Sequence, residues 1–250
     1  MRGRSAAAAL AGGALAAGLA HALPGAVGLG PLRVRLFPRL AGLGRPGHVA
    51  LTFDDGPDPL STPRFLDELD RLGWRATFFM LGDMARKAPS LAAEVARRGH
   101  EVAVHGDVHR SHLLRRPGEV AADLARATDT IAEATGRRPV WLRPPYGAVS
   151  AGTLKAARAL SLRLVLWSGW GRDWRSAATP ASVAAEVLAD LRPGATILLH
   201  DSDCTSAPGC WHAALGALEE LRRCRQDLDF GPLGDHFRPG PASQAEPGAG

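Results

Sequence analysis

Short apolar runs and amphipathic segments alternate through the middle of this chain. The apolar runs have the length and composition of β-strands and lie at His48–Phe53, Ala76–Met80, Glu101–Val104, Val140–Leu142, Arg163–Trp167 and Ala195–Leu199. Helix-like segments lie between and after them, at Pro63–Leu72, Ser90–Arg98, Gly118–Thr135, Ala151–Ala159, Ala181–Leu191 and Trp211–Cys224. This alternation predicts an α/β fold in which parallel strands are joined by helical crossovers.

Residues at the helix ends support these assignments. Gly73, Gly99 and Gly136 follow the first three helices, where a C-terminal cap is expected. Thr179 and Pro180 supply an N-cap and a first-turn proline for the fifth. The number of strand–helix units suits either a short barrel or an open doubly wound sheet. We favour the barrel, because polar motifs recur at successive strand ends and βα barrels build their active sites at that rim.

Composition limits the classes of partner. A length of 250 residues suits one α/β domain with extensions. The net charge of +5 comes from arginine, since Lys87 and Lys155 are the only lysines. Basic residues do not alternate with aromatic ones along a stripe, so we expect no nucleic acid partner. A basic surface still favours an anionic polymer such as a cell wall.

The cysteines leave the redox compartment open. Cys204 and Cys210 bracket a short loop and form either a disulfide or two free thiols. Cys224 is left over in the first case, and an odd number of cysteines makes a poor disulfide framework.

The two ends of the chain differ in composition from its centre. Residues 1–22 place arginines before an apolar stretch and end in Ala-His-Ala, the layout of a secretory signal peptide. We therefore expect export, with a cytoplasmic location as the alternative. Residues 23–45 are predicted to be a linker or a strap across the bottom of the barrel. Residues 46–235 form the expected catalytic domain, and 236–250 a disordered tail rich in Gly and Pro.

The first strand ends in two adjacent carboxylates, in the sequence VALTFDDGP. Because side chains alternate along a strand, Asp54 and Asp55 are expected to diverge where it ends. Gly56 and Pro57 then force a turn that leaves both carboxylates in a loop mouth instead of a core. One acid can then bind a metal while its neighbour handles a proton. The alternative is an acidic turn after an edge strand.

Two histidines follow the third strand at a spacing of four. On a helical turn, His105 and His109 project to the same side and can converge on one cation. Asp55 is expected on the same rim, and two imidazoles with one carboxylate are a common ligand set for catalytic zinc. The alternative is a pair of surface or helix-capping histidines, a description that we also apply to His100 and His112.

Three further strand ends carry chemistry. After the fourth, Arg143 can hold a rim carboxylate bidentately, although Arg-Pro-Pro is also simply a rigid loop. After the fifth, Trp167, Trp170 and Trp174 suit stacking on sugar faces, while core packing explains one or two of them. His200 ends the sixth, buried strand and is poised for proton transfer.

The motifs TFDDGP, HxxxH, RPPYG, DW and ILLHD, in that order, resemble those of the NodB-homology polysaccharide deacetylases, carbohydrate esterase family four. The resemblance covers roughly residues 46–230. It implies a distorted (β/α) barrel. It also implies a hydrolase that removes N-acetyl groups from amino-sugar polymers or oligomers, such as peptidoglycan or chitin, with the help of a metal.

The resemblance also implies roles for individual residues. Asp54 would be the general base, oriented by Arg143. The metal ligands would be Asp55, His105 and His109, binding one divalent transition metal, with zinc favoured by the ligand types and cobalt as an alternative.

The remaining implied roles lie on the other side of the site. His200 would be the general acid, with its pKa tuned by Asp173. The backbone N–H of Tyr146 would help to stabilise the oxyanion. The other substrate-binding residues would be Pro145, Trp174 and Leu198, the last two lining the acetyl pocket.

Two departures from the family pattern bear on these roles. Gly106 stands where Ser or Thr usually follows the first histidine, so metal affinity is lower or another group braces the loop. Arg110 stands where Pro is frequent. Two other functions remain as alternatives: a catalytically silent glycan-binding barrel, and a metal hydrolase of non-sugar amides. We expect a monomer without a stable protein partner.

Overall fold

A parallel sheet lies at the centre of the structure, a computed structural model that describes residue 16 and residues 18–28 and 30–238. Its strands are β1 His48–Asp54, β2 Thr77–Leu81, β3 Glu101–Gly106, β4 Trp141–Leu142, β5 Arg163–Leu164, β6 Gly169–Trp170, β7 Thr196–His200 and β8 Asp229–Gly231. The strand order is β5-β4-β3-β2-β1-β7-β6, and β8 pairs with the first residues of β1. The predicted α/β architecture with a parallel sheet is confirmed.

Helices connect the strands and cover the outside of the sheet. They are α1 Gly30–Leu36, α2 Thr62–Leu72, α3 Gly82–Lys87, α4 Pro89–Arg97, α5 Pro117–Thr135, α6 Ala151–Ala159, α7 Pro180–Asp190, α8 Trp211–Cys224 and α9 Leu233–His236. Short 3₁₀ turns lie at Leu23–Gly28, His112–Leu114 and Pro145–Gly147. The six predicted helices are confirmed to within a residue at each end, whereas α1, α3 and α9 were not predicted, nor were the short strands β6 and β8.

The predicted caps are also present. Gly73, Gly99 and Gly136 have φ values of 70°, 85° and 67°, the left-handed conformation in which glycine ends a helix without steric cost. The Thr179 hydroxyl accepts a hydrogen bond from the backbone N–H of Ser182 and so caps α7.

The two faces of β1 show how the sheet directs side chains. Val49, Leu51 and Phe53 pack outward in the large apolar core under the helices. Ala50 packs in a smaller cluster on the inner face of the curved sheet. Because alternate side chains share a face, Asp54 belongs to the inner row and ends it at the carboxyl edge of the strand. The inner face therefore carries the first carboxylate to the rim.

The segment before β1 lies along the open side of the sheet, between β5 and β6. The Arg33 guanidinium donates to the carbonyl of Trp167 at 2.8 Å, and Leu166 N–H donates to the carbonyl of Leu40 at 2.7 Å. On β7, the neighbour of the edge strand β6, Thr196 Oγ1 donates to the carbonyl of Gly42 at 2.6 Å. This segment thus connects the loop between β5 and β6 to β7, on the side of the described sheet where β5 and β6 are the two edges.

The ends of the chain are described in part. Residues 18–22 are helical, and residues 1–15 and 17 of the predicted signal segment lie outside the described residues. No helix within the described part of the chain is both long and apolar enough to cross a membrane. The prediction that the disordered tail begins at residue 236 is wrong for its first residues, because His236 is buried in α9 against His48 and Phe237 packs against Trp141. Residues 239–250 lie outside the described residues.

His100 and His112 are not surface residues, contrary to our expectation. Both are fully buried. Ala76 N–H donates to Nδ1 of His100, and Nδ1 of His112 lies 3.0 Å from the hydroxyl of Thr153. Burial lowers the pKa of each imidazole to about 4, so both are neutral at pH 7 and are buried without the cost of a charge. Cys204, Cys210 and Cys224 are free thiols, so of the two alternatives for Cys204 and Cys210 the structure has the free thiols and not the disulfide.

Candidate active site

The two aspartates diverge at the end of β1, as predicted. Asp54 closes the strand, and Asp55 turns away with a φ of 82°. The expectation that both lie in an open loop mouth is wrong, because Asp54 is 2% exposed and Asp55 is fully buried. The loop after β7 covers the second one: Thr205 Oγ1 donates to Oδ2 of Asp55 at 2.5 Å.

Three side chains converge beside this carboxylate. Oδ1 of Asp55 lies 3.4 Å from Nε2 of His105 and 3.5 Å from Nε2 of His109. The three ligand atoms all lie within 4.8 Å of one another. Oδ1 has no hydrogen-bond partner among the described residues, although it is buried. A buried, unpaired carboxylate oxygen facing two ring nitrogens is the arrangement that a cation would satisfy.

The protonation of the histidines also fits a cation. Nδ1 of His105 donates to the carbonyl of Arg143 at 2.8 Å, which leaves the lone pair of Nε2 directed at Asp55. Burial, and then the neighbouring His109 and Arg143, lower the pKa of His105 well below its usual value. Burial likewise lowers the pKa of His109. Neutral imidazole is the form that ligates metals, so this donor set suits one divalent transition metal.

The backbone that brings the two histidines together is not the helical turn that we predicted. His105 lies on β3, and His109 lies three residues beyond the end of that strand in an irregular loop. Gly106 ends β3 with a φ of 110°, which reverses the chain and folds His109 back towards His105. The predicted convergence is present, but a glycine turn produces it.

Arg143 is fully buried and holds the other aspartate. Its Nη1 donates to Oδ1 of Asp54 at 2.7 Å and to Oγ1 of Thr52 at 2.8 Å, while Nη2 donates to the carbonyl of Leu166 at 2.9 Å. The contact with Asp54 is therefore through one nitrogen and not bidentate as predicted, because Leu166 occupies the second. Burial raises the pKa of Asp54 to about 6, and the opposing effect of Arg143 is smaller.

His200 faces the aspartates from the end of β7. Its Nδ1–H donates to Oδ1 of Asp173 at 3.0 Å, and its backbone N–H donates to Oδ2 at 2.7 Å. Burial by itself lowers the pKa of His200, but Asp173, helped by the more distant Asp55 and Asp54, outweighs it and raises the pKa to about 10. The predicted pairing and the direction of the shift are confirmed. The imidazole is a cation at neutral pH, and its Nε2–H is the remaining donor.

These groups meet in one cavity of about 300 Å³. The lining residues are Asp54, His105, His109, Tyr146, Gly147, Trp167, Trp170, Trp174, Leu198, His200, Thr205 and Ser206. All three tryptophans thus reach the cavity, and Trp174 is 40% exposed. Pro145 does not line it. That residue is buried near Gly106. Tyr146 is exposed and sets its ring edge against His109, with the ring centroids 4.4 Å apart.

Sequence reasoning missed three residues of the site. Thr52, which shares Arg143 with Asp54, could have been found from the alternation along β1. Thr205 and Ser206 come from the loop between β7 and α8. Both lie inside that loop, away from the end of the strand and outside any helical period, so no pattern in the sequence indicates them.

A second cavity, of about 670 Å³, adjoins the first. The two share His109 and Tyr146, and Arg110 and Leu114 extend the second one away from the metal-facing side chains. Within the part of the chain that the structure describes, the Arg110 guanidinium has no carboxylate partner. Glu119 also borders this cavity and accepts a hydrogen bond from the backbone N–H of Arg116.

The sequence model of the family described as polysaccharide deacetylase matches residues 42–165. A chitooligosaccharide deacetylase from Sinorhizobium fredii is 40% identical over 169 residues, which are 67% of this chain and 77% of that relative. A peptidoglycan-N-acetylglucosamine deacetylase from Bacillus cereus is 34% identical over 155 residues, which are 62% of this chain. The chain spans 56% of the length of that relative. The crystal structure of a peptidoglycan N-acetylglucosamine deacetylase has a TM-score of 0.72 and 29% identity, covering 80% of this chain and 92% of that one.

Proposed function

This chain belongs to the polysaccharide deacetylase family, and from that membership we propose that it removes N-acetyl groups from amino-sugar glycans by metal-dependent hydrolysis of the amide bond. One observation carries the proposal: a single cavity combines a buried carboxylate, a donor set for a cation and a protonated imidazole. The family match at residues 42–165 includes the carboxylate and the donor set, but it ends before Asp173 and His200, so the protonated imidazole is an observation independent of that match.

The metal would be held by Asp55, His105 and His109. A divalent transition metal supplies Lewis acidity to the acetamide carbonyl and to the attacking water. Zinc is favoured because it accepts two imidazoles and one carboxylate and leaves room for water, and cobalt is the alternative. Thr205 and the carbonyl of Arg143 orient Asp55 and His105 from behind.

The proton transfers fall to two side chains of this chain. Asp54 takes a proton from the attacking water, and Arg143 holds one of its oxygens so that the other remains available. His200 gives the proton on Nε2 to the departing amine nitrogen, which otherwise would return to the carbonyl carbon. Asp173 keeps that imidazole protonated and fixes the ring. The backbone N–H of Tyr146 is the oxyanion donor, on a loop that two prolines stiffen.

The cavity walls suit a sugar and its acetyl group. Leu198 and Trp174 form the apolar part that would receive the acetyl methyl. Trp167 and Trp170 extend the aromatic wall, with ring centroids 5.6 Å apart. Aromatic faces stack on the apolar faces of sugar rings, which favours a glycan over other amides. Catalytic silence is disfavoured because the carboxylate and the imidazole needed for the two proton transfers are both present and both oriented.

The second cavity points to a glycan with more than one sugar. Since it shares His109 and Tyr146 with the first, a chain bound at the metal site would continue into it. Arg110 would then meet the neighbouring unit with a positive charge that no ion pair among the described residues neutralises, although Glu119 borders the same cavity. We therefore favour a carboxylate-bearing glycan such as peptidoglycan over neutral chitin oligomers. Export fits such a substrate, and so does the signal-like composition of residues 1–22.

Acetate release tests the proposal directly. The zinc-loaded protein would be incubated with peptidoglycan, chitooligosaccharides and acetylated xylan, with and without a chelator. We expect release from at least one of the two N-acetylated glycans, loss of that release with the chelator and recovery on adding zinc. Zinc binding without release from any substrate would contradict a deacetylase and support the glycan-binding alternative.

A further inference from the structure

The loop that separates the two metal-facing histidines lacks a side chain at its first position. Gly106 has a φ of 110°, a conformation that residues with a Cβ rarely adopt. A Cβ there would lie 3.3 Å from Oδ2 of Asp123 and 3.3 Å from the carbonyl oxygen of Val108. The space next to Gly106 is therefore occupied by a carboxylate from another element.

That carboxylate binds the loop. Asp123 is fully buried on α5, and its Oδ2 accepts a hydrogen bond from the backbone N–H of Asp107 at 2.8 Å. Its Oδ1 accepts from Nη1 of Arg115 at 2.7 Å. Asp107 is two residues from His105 and two from His109, so the bond fixes the midpoint of the loop. Hydrogen bonds to a buried, ionised carboxylate are short and strong.

Other residues contact the side chain and the carbonyl of Asp107, at the same midpoint of the loop. The side chain of Asp107 accepts from Nη1 of Arg86 at 2.6 Å and from Nε of Arg126 at 3.2 Å. Its carbonyl accepts from the backbone N–H of Asp83 at 2.9 Å. Contacts from α3 and α5 thus constrain the backbone N–H, the carbonyl and the side chain of one residue.

We propose that Asp123 is a positioning residue for the metal centre. It does the work of the hydroxyl that the family usually carries after the first histidine: it keeps His105 and His109 at the separation that a cation requires. The proposal rests on the metal site of the proposed function but not on deacetylation. Without Asp123, the buried N–H of Asp107 loses its acceptor and Arg115 loses its counter-ion, so the loop relaxes and the histidines separate.

The test measures zinc affinity by competition with a chromophoric chelator, together with thermal melts of the metal-free proteins. Groups that contact metal ligands directly are typically worth about 10–100-fold in affinity. Asp123 acts through the backbone of Asp107, so Asp123→Ala should weaken zinc binding by about tenfold, the lower end of that range. Asp123→Asn keeps an acceptor for Asp107 and the side-chain volume. Its zinc affinity should lie between those of Asp123→Ala and the unaltered protein, which provides the measurement if the alanine variant does not fold.

Thr128→Val is the matched control. Thr128 is buried on the same helix, but its hydroxyl bonds to the carbonyl of Leu124 and not to the loop. This variant should lower the melting temperature and leave zinc affinity unchanged. Unchanged zinc affinity in both Asp123 variants, or an equal loss in Thr128→Val, would overturn the proposal. Acetate release by the unaltered protein is measured separately, so failure of the deacetylase proposal is distinguishable from failure of this one.

Discussion

Nδ1 of His200 lies 3.0 Å from Oδ1 of Asp173, and the same carboxylate accepts the backbone N–H of His200 at 2.7 Å. The carboxylate therefore fixes both the ring and the strand end that carries it. Without this partner, burial would lower the pKa of the imidazole. The pairing is the main cause that raises the pKa of this partly buried histidine and so keeps a proton on the ring nitrogen that does not face Asp173.

Asp173→Asn should move the basic limb of the pH–rate profile to lower pH. The active form of His200 is protonated, and its raised pKa of about 10 keeps it so until the pH rises through that value. With the carboxylate gone, the proton is lost at lower pH, and activity falls with it. The profile of kcat/KM measures the shift, and thermal melts check the fold. An unshifted basic limb in a folded Asp173→Asn protein would refute the pairing's role.

The double variant His105→Ala, His109→Ala should bind no stoichiometric metal. Both imidazoles that face Asp55 are removed, and one carboxylate seldom retains a transition metal. Elemental analysis of the purified protein gives the metal content. His100→Ala is a control, since that histidine is buried elsewhere. Full metal content in the double variant would place the site away from Asp55.

Asp54→Asn should keep the metal and lose about 10²–10⁴ in rate, the usual contribution of a general base. The carboxylate must be ionised to accept a proton, so the unaltered enzyme should lose activity as the pH falls through about 6, where burial sets the pKa of Asp54. A bound cation would move this acid limb to lower pH. Normal turnover by Asp54→Asn would show that another group is the base.

Arg110→Gln should weaken kcat/KM for acidic glycans more than for neutral ones. The guanidinium borders the second cavity without a carboxylate partner among the described residues, so an anionic substrate would gain a charge-assisted bond there. We expect about a tenfold loss on peptidoglycan fragments, since a hydrogen bond to a charged group contributes about 1.5–3 kcal/mol before solvent screening, and little change on chitooligosaccharides.

Arg158→Gln is the control for net charge, because Arg158 is exposed on α6 and borders neither cavity. Equal losses on acidic and neutral glycans would contradict a carboxylate subsite at Arg110.

The site residues at strand ends could be predicted from the alternation of apolar and polar positions in the sequence. Asp54 ends a strand whose alternation places it on the inner face, His200 ends β7, and His105 lies one residue before the end of β3 in the same sheet. Asp123 could also have been noticed in the sequence, because it interrupts the apolar face of α5 between Val120 and Leu124. An acidic residue at such a position needs a buried partner.

The parts that depend on loops could not be read. The spacing of four between the two histidines suggested a helical turn, whereas a turn at Gly106 brings them together. The loop that carries Thr205 reaches Asp55 only through tertiary packing. His100 and His112 were misplaced for a related reason. Polar side chains are mostly exposed, and only the folded chain shows which of them have found partners that allow burial.

The segment before β1 has a practical consequence for where the chain can be cut. Leu40 binds the backbone of Leu166, whose own carbonyl accepts from Arg143, and Arg143 holds Asp54. A protein that started at residue 46, where the motifs begin, would keep every catalytic side chain and lose the support behind the base. Arg33, on the same segment, donates to the carbonyl of Trp167, which lines the cavity. We therefore expect a fragment that keeps both supports to start ahead of Arg33, in a stretch of the chain that carries none of the family's motifs.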